Sequence, residues 1–192
     1  MALEQGKFGD AIRLFGRVSD PVVSAKFFLH WFWRIVGQLE LSNAWLLSGN
    51  IINARTATDR FHASALSTAD PHLQALAWEL QTRVAMAEND WAAAREHIQK
   101  ALAISDKFEI LVAAWQVHGT AWRLFSQLND SKTAESHRER AEACILKIAN
   151  SFESEEPLRA SFLAAAPVRS ILHEKVVTSA LRPQESSRSV GI

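Results

Sequence analysis

The chain has 192 residues, 48% of them apolar and 22% charged, and its 21 basic and 21 acidic side chains leave no net charge. Folding at that length buries about 70% of the extended surface, enough for one domain or a short array of repeats. The balanced charge excludes a global field that would gather nucleic acid or an anionic membrane. The single cysteine excludes an internal disulfide and suits a reducing compartment, so the chain reads as cytoplasmic.

Residues 1–20 read as a partial repeat. The stretch Met1 to Asp10 lacks the apolar run of a signal peptide. Gly9-Asp10 sits where a turn is expected, and Ile12, Leu14 and Phe15 follow with a short apolar face. A chain that starts inside a repeat leaves that end uncovered. Either a longer protein or another subunit is expected to shield it.

Asp20-Pro21 supplies an N-cap and a proline for the first helical position, and one long helix is expected from there to Ser48. Lys26, His30, Arg34, Gln38 and Ser42 step by four along it as a narrow polar stripe. Phe27, Phe28, Trp31, Phe32 and Trp33 fill the rest of the circumference. A helix apolar on so many sides is expected to lie buried between neighbours. The alternatives are a docking patch of Phe27, Phe28, Trp31 and Phe32, for a partner or a second copy, and a helix on a membrane surface. Its apolar window is too short, and too charged, to span a bilayer.

Gly49-Asn50 turns the chain into a second helix, Ile51 to about Ser67, which ends at Asp70-Pro71. The next hairpin pairs Pro71–Ala87 with a helix from Asp90 to about Ile104. A third pairs about Phe108–Leu128 with Ser131 to about Ser151. Glu156-Pro157 opens a last helix, with Pro167 expected to bend it before His173. The Ser- and Arg-rich tail, 174–192, reads as disordered.

Strand-like alternation and glycine-rich phosphate loops are both absent, which points to an all-α fold. The turns are in register: Gly9-Asp10, Gly49-Asn50, Asn89-Asp90 and Asn129-Asp130 lie 40 residues apart. Ala54, Ala94 and Ala134 keep the same step, as do Phe61, Ala101 and Ala141. Small residues seven apart share one helix face and let a neighbouring helix approach closely.

Helix pairs with small residues at two fixed places in the second helix resemble the tetratricopeptide repeat. The middle hairpin carries the resemblance best, with Trp78, Asn89, Ala94, Ile98 and Ala101 on the motif's positions. Phe125, Asn129, Ala134 and Ala141 repeat it, while Phe61 replaces a small residue in the first hairpin. The 40-residue step exceeds the usual 34, so the helices are expected to be longer. Elongated arrays of this kind resemble those in the C-terminal halves of large bacterial signalling ATPases, some linked to cyclases. The resemblance implies a right-handed α-solenoid of antiparallel hairpins (about 21–69, 70–106 and 107–152) with a capping helix at about 156–173. In those proteins the array follows a nucleotide-binding module and sometimes a cyclase, kinase or DNA-binding domain.

The chemistry-bearing residues do not assemble into a catalytic pattern. Seven histidines raise the question of a metal, and His97 and His137 hold equivalent positions 40 apart. Helices packed about 8–10 Å apart make shared coordination of one ion difficult, and zinc needs three or four ligands near 2 Å. No metal or other cofactor is expected. Cys144 sits in Ala143-Cys-Ile-Leu146 and reads as a small core hydrophobe. Trp78, Trp91, Trp115 and Trp122 read as core, with a small-ligand box around Trp115–Trp122, opened by Gly119, as the alternative. Glu79 and Arg83, four apart, read as a surface ion pair.

Repeat arrays bind on a concave face lined by their first helices. In the register of the resemblance, Asn43, Arg83 and Arg123 share one position there, with Glu79, Gln116 and Ser126 close by. Two guanidinium groups in adjacent repeats suit a carboxylate or acidic peptide. The expectation is a non-catalytic interaction module whose partner is a protein segment or an upstream catalytic domain. Docking or self-association through the aromatic helix is the second expectation, and neither nucleic acid nor membrane is an expected partner.

Overall fold

The structure, a computed structural model, describes residues 7–20, 29–152 and 155–173. Phe27, Phe28 and the tail at 174–192 lie outside the described residues. The described part is all-α, with no strand. Its helices are α1 (Phe8–Ser19), α2 (His30–Leu47), α3 (Ile51–Leu66), α4 (Pro71–Ala87), α5 (Trp91–Lys107), α6 (Leu111–Gln127), α7 (Ser131–Asn150), α8 (Glu156–Ala164) and α9 (Ala166–His173). None of them is long and apolar enough to cross a membrane.

Three interhelical turns share one geometry. Gly49, Asn89 and Asn129 take left-handed φ angles of 76°, 61° and 58°. Glycine and asparagine are the residues that accept this conformation at least cost. The next residue's amide then reaches back five positions: Asn50 to the Trp45 carbonyl at 3.1 Å, Asp90 to Ala85 at 2.9 Å, Asp130 to Phe125 at 2.9 Å. A second bond, spanning three positions, runs from each left-handed residue's amide to the carbonyl of Leu46, Met86 or Ser126. This pairing is the Schellman closure of a helix.

The residue after the left-handed one caps the helix that follows. Asn50, Asp90 and Asp130 each accept from the amide three residues on, at 3.1, 3.0 and 3.2 Å. One dipeptide therefore ends one helix and begins its partner, which forces a tight hairpin. Asp70 caps α4 through the His72 amide at 2.8 Å, with Pro71 at the first helical position.

Each helix from α1 to α7 packs on the next, and α4 also touches both α2 and α6. Ala54, Ala94 and Ala134 are buried, as are Phe61, Ala101 and Ala141. Phe61, Leu80, Ile98, Leu124 and Ile145 are fully enclosed, each contributing about 1.5–3 kcal/mol through burial. At the C-terminal end α8 packs on α7, and α9 packs on α7 and α8. Val168 and Ile171 of α9 join Trp122, Ala141 and Ile145 in one cluster.

Four local expectations need correction. Gly9-Asp10 lies inside the first turn of α1, where Asp10 pairs with Arg13 at 2.7 Å instead of capping a helix. One continuous helix through Leu29 does not form, because its φ of 56° cannot belong to a right-handed helix, and α2 begins at His30. The start of α2 is not buried either: Trp31, Phe32 and Trp33 are 49%, 40% and 48% exposed. Finally, the last helix breaks at the extended Ala165, not at Pro167. Pro167 falls in the first turn of α9, where no amide donor is required.

Removing the capping side chain from a shared turn should loosen the helix that follows it, because the preceding helix is closed by backbone amides. Asp90→Ala is expected to lower the unfolding free energy by about 1 kcal/mol in urea denaturation. Asn89→Gly, which relieves the left-handed strain, should lower it by less or raise it.

Candidate functional site

The face where α2, α4 and α6 meet carries a chain of polar contacts that crosses all three helices. Arg83 of α4 donates from Nη1 to the Asn43 Oδ1 of α2 at 2.7 Å. Its Nε lies 3.8 Å from Oε1 of Glu79, one turn earlier. Glu79 is only 3% exposed, and the same oxygen accepts from Thr120 Oγ1 of α6 at 2.5 Å. The carboxylate of the pair is thus buried while Arg83 stays 29% exposed, unlike the surface pair expected, because α6 covers Glu79.

A carboxylate enclosed in protein is costly unless it is paired and hydrogen-bonded. Glu79 meets that need through Arg83 and Thr120, so Arg83 acts first as a structural cation. Glu40 of α2 joins the group. Burial holds its carboxyl above the usual carboxylate range, against the opposing effects of the Asn43 side chain and the Arg83 charge.

Arg83 and Arg123 also line one cavity of about 200 Å³, together with Leu46, Leu47, Met86 and Thr120. Arg123 is exposed and donates to Ser170 Oγ of α9 at 3.1 Å, with its guanidinium 5.8 Å from the centre of the Trp122 ring. The walls are apolar on the α2 side, where Leu47 is half in solvent. Cation and hydrocarbon therefore face the same small space.

Of the residues expected here, Asn43, Glu79 and Arg83 are brought into one network, and Arg83 and Arg123 into one cavity. Gln116 turns back to the Val112 carbonyl of its own helix at 3.2 Å, and neither it nor Ser126 lines the cavity. Sequence reasoning missed Glu40 and Thr120. Glu40 lies three before Asn43, a spacing that puts both on one helix face. Thr120 lies three before Arg123, the same spacing two 40-residue steps on, and could have been found in the same way.

A second polar group joins α3 to α4. Arg55 donates to Gln81 Oε1 at 2.6 Å and forms an ion pair with Glu88, while Gln81 donates to Asp59 at 2.8 Å. It ties the hairpins together away from the cavity residues.

The histidine contact that does form is not between His97 and His137. His118 of α6 faces His137 of α7, with Nδ1 atoms 3.1 Å apart and rings stacked at 5.2 Å. His97 instead contacts the indole of Trp78, which also meets His62 and the Lys100 ammonium. Trp78 and His118 are themselves 40 residues apart. No three His, Cys, Asp or Glu side chains gather as a metal site among the described residues. Burial pushes the Cys144 thiol up, with only partial relief from Lys147, the opposite of an activated nucleophile.

Gly119 opens the space read as a ligand box, and α9 fills it. A Cβ at Gly119 would lie 2.9 Å from Ile171 Cδ1. Trp122 is buried, and Trp115 is half-buried beside the α9 cluster. Compared with known proteins, the chain matches no family model, no curated protein and no solved structure at a significant level.

The buried pair sets unequal costs for removing its two members. Arg83→Ala leaves Glu79 unpaired and should cost about 2 kcal/mol or more in chemical denaturation. Glu79→Gln keeps an acceptor for Thr120, removes the buried charge, and should cost clearly less.

Proposed function

We propose that the chain is a non-catalytic protein–protein interaction module, a right-handed α-solenoid of hairpins with a period of about 40 residues, capped by α8 and α9. Support for that arrangement comes from the three equivalent turns at 40-residue steps and from the contacts of α4 with α2 and α6. The observation that carries the binding reading is the cavity in which Arg83 and Arg123 meet Leu46, Leu47 and Met86. A segment with a carboxylate next to an apolar side chain matches it: a forked guanidinium suits the carboxylate, and the leucines suit the hydrocarbon.

Within this reading the two arginines divide the work. Arg83 is anchored by Asn43 and Glu79 and offers its remaining guanidinium N–H groups from a fixed position. Arg123, which donates to Ser170, is the more exposed of the two and would turn toward the ligand. In a longer protein the same face would receive a segment of an attached catalytic domain, as the resemblance to bacterial signalling ATPases implies. The cytoplasm is the compartment proposed for such a module.

Peptide display on the purified protein tests the assignment. Selected peptides should combine Asp or Glu with a neighbouring apolar residue. Their affinity should fall at least about tenfold with Arg123→Glu, and it should weaken as salt is raised. A variant that folds and binds the same peptides equally well would exclude the cavity.

A second reading has an observation of its own. Trp31, Phe32 and Trp33 are exposed together and touch edge-to-face at 6.0 and 5.5 Å, and grouped exposed aromatics mark docking surfaces. Light-scattering mass over a concentration range distinguishes the outcomes. A dimer abolished by Trp31→Ser with Phe32→Ser supports docking, whereas a monomer at every concentration removes self-association.

A further inference from the structure

His118 and His137 meet across the α6–α7 hairpin in a way that allows very few proton arrangements. Their Nδ1 atoms are 3.1 Å apart, so one must carry the hydrogen and the other the lone pair. Neutral rings satisfy this with one N–H···N bond. A first added proton can enter only at a far ring nitrogen, which makes a cation in an enclosed site: His118 is 5% exposed, and Phe125 stacks on His137 at 5.6 Å. A second must enter at the facing lone pair. It breaks the bond and sets two N–H cations against each other.

We propose that this pair is a proton-operated latch, which closes the α6–α7 hairpin when both rings are neutral and releases α7, with α8 and α9 packed on it, in acid. The latch requires nothing of what the cavity binds, although the α9 it releases carries the Ser170 to which Arg123 of the cavity donates. The consequence reaches α8 and α9 because both of them pack on α7.

The surrounding charges do not rescue the protonated pair. Asp106 of α5 favours the charged rings and Arg140 of α7 opposes them, but those two groups lie 3.7 Å from each other and offset one another. Glu79 of α4 is committed to Arg83 and Thr120. Arg138 of α7 is held by Glu135, Glu142 and the Ile171 carbonyl of α9. On α8, Arg159 and Glu156 pair with each other.

Burial, reinforced by His137 and Arg140, pushes His118 down to about 4, and burial with Arg140 also lowers His137. A base whose folded value is depressed takes up protons more readily when unfolded. Its contribution is therefore complete above the ordinary value of 6.5 and is lost as pH falls from there toward about 4.

The preceding hairpin supplies an internal control. At the position of His118 it holds Trp78, which cannot titrate and stands between His97 and His62. No two imidazoles share a proton there, although burial also lowers His62. Acid should therefore open α6–α7 before α4–α5.

Hydrogen exchange on the intact chain, read by mass spectrometry at neutral pH and near pH 5 and corrected for intrinsic rates, tests this. Acid should speed exchange in 131–150 at least about tenfold relative to α4. His137→Phe keeps the stack on Phe125 without a titrating ring. His118→Gln offers a neutral amide whose oxygen accepts from His137 in either of its charge states. Each variant leaves one buried imidazole, so each should weaken the acid response, and the two together should abolish it. Equal protection of α7 and α4 at both pH values overturns the latch, and so does an acid response that is undiminished in a folded variant. Should both variants fail to fold at neutral pH, the wild-type comparison of α7 with α4 decides by itself.

Discussion

A buried carboxylate sets the terms for the centre of this protein. Glu79 is almost wholly enclosed, and its partners come from its own helix and from the next first helix of a hairpin. An unpaired charge there would be expelled or neutralised. Arg83 must therefore stay close, and through Asn43 it carries the connection on to α2. Three helices that need only have packed by hydrocarbon are also tied by direction-dependent bonds. Such bonds tolerate little sliding, which fixes α2, α4 and α6 against one another more tightly than alanine-rich packing alone does. The cavity between them inherits that fixed geometry.

The hairpins that deliver those helices depend on three dipeptides. Gly49-Asn50, Asn89-Asp90 and Asn129-Asp130 each combine a residue that tolerates the left-handed conformation with one that caps. This part was legible in the sequence because both requirements are local and residue-specific. The same holds for Asp70-Pro71, which begins α4 where a cap followed by proline says it should. Other features were not legible, for identifiable reasons. Leu29 takes a conformation that its residue type disfavours, so no propensity could announce it. Gly9-Asp10 has the composition of a turn but lies within α1. The break at Ala165 was assigned to the conspicuous proline two residues on.

The candidate site was legible to a similar depth. A shared repeat position brought Asn43, Arg83 and Arg123 into consideration, and the structure places Arg83 in contact with Asn43 and in one cavity with Arg123. That position says nothing about depth. Whether Glu79 is a surface residue or a buried anion depends on how closely α6 approaches α4, a distance that no single helix records. The histidines show the same limit. Equivalence in sequence singled out His97 and His137 without setting them in contact, and it gave no hint that His137 meets His118, its neighbour across the hairpin. Periodicity finds residues in similar environments; packing decides which of them touch.

The central claim is that Arg83 is held by the fold through Asn43 and Glu79. A double-mutant cycle on Arg83→Met and Glu79→Gln, read by urea denaturation, tests it most directly. The account predicts a coupling of about 1–3 kcal/mol, because removing the carboxylate should relieve most of the cost of losing the guanidinium. Additive effects, within about 0.5 kcal/mol, would contradict it and return Arg83 to the solvated surface.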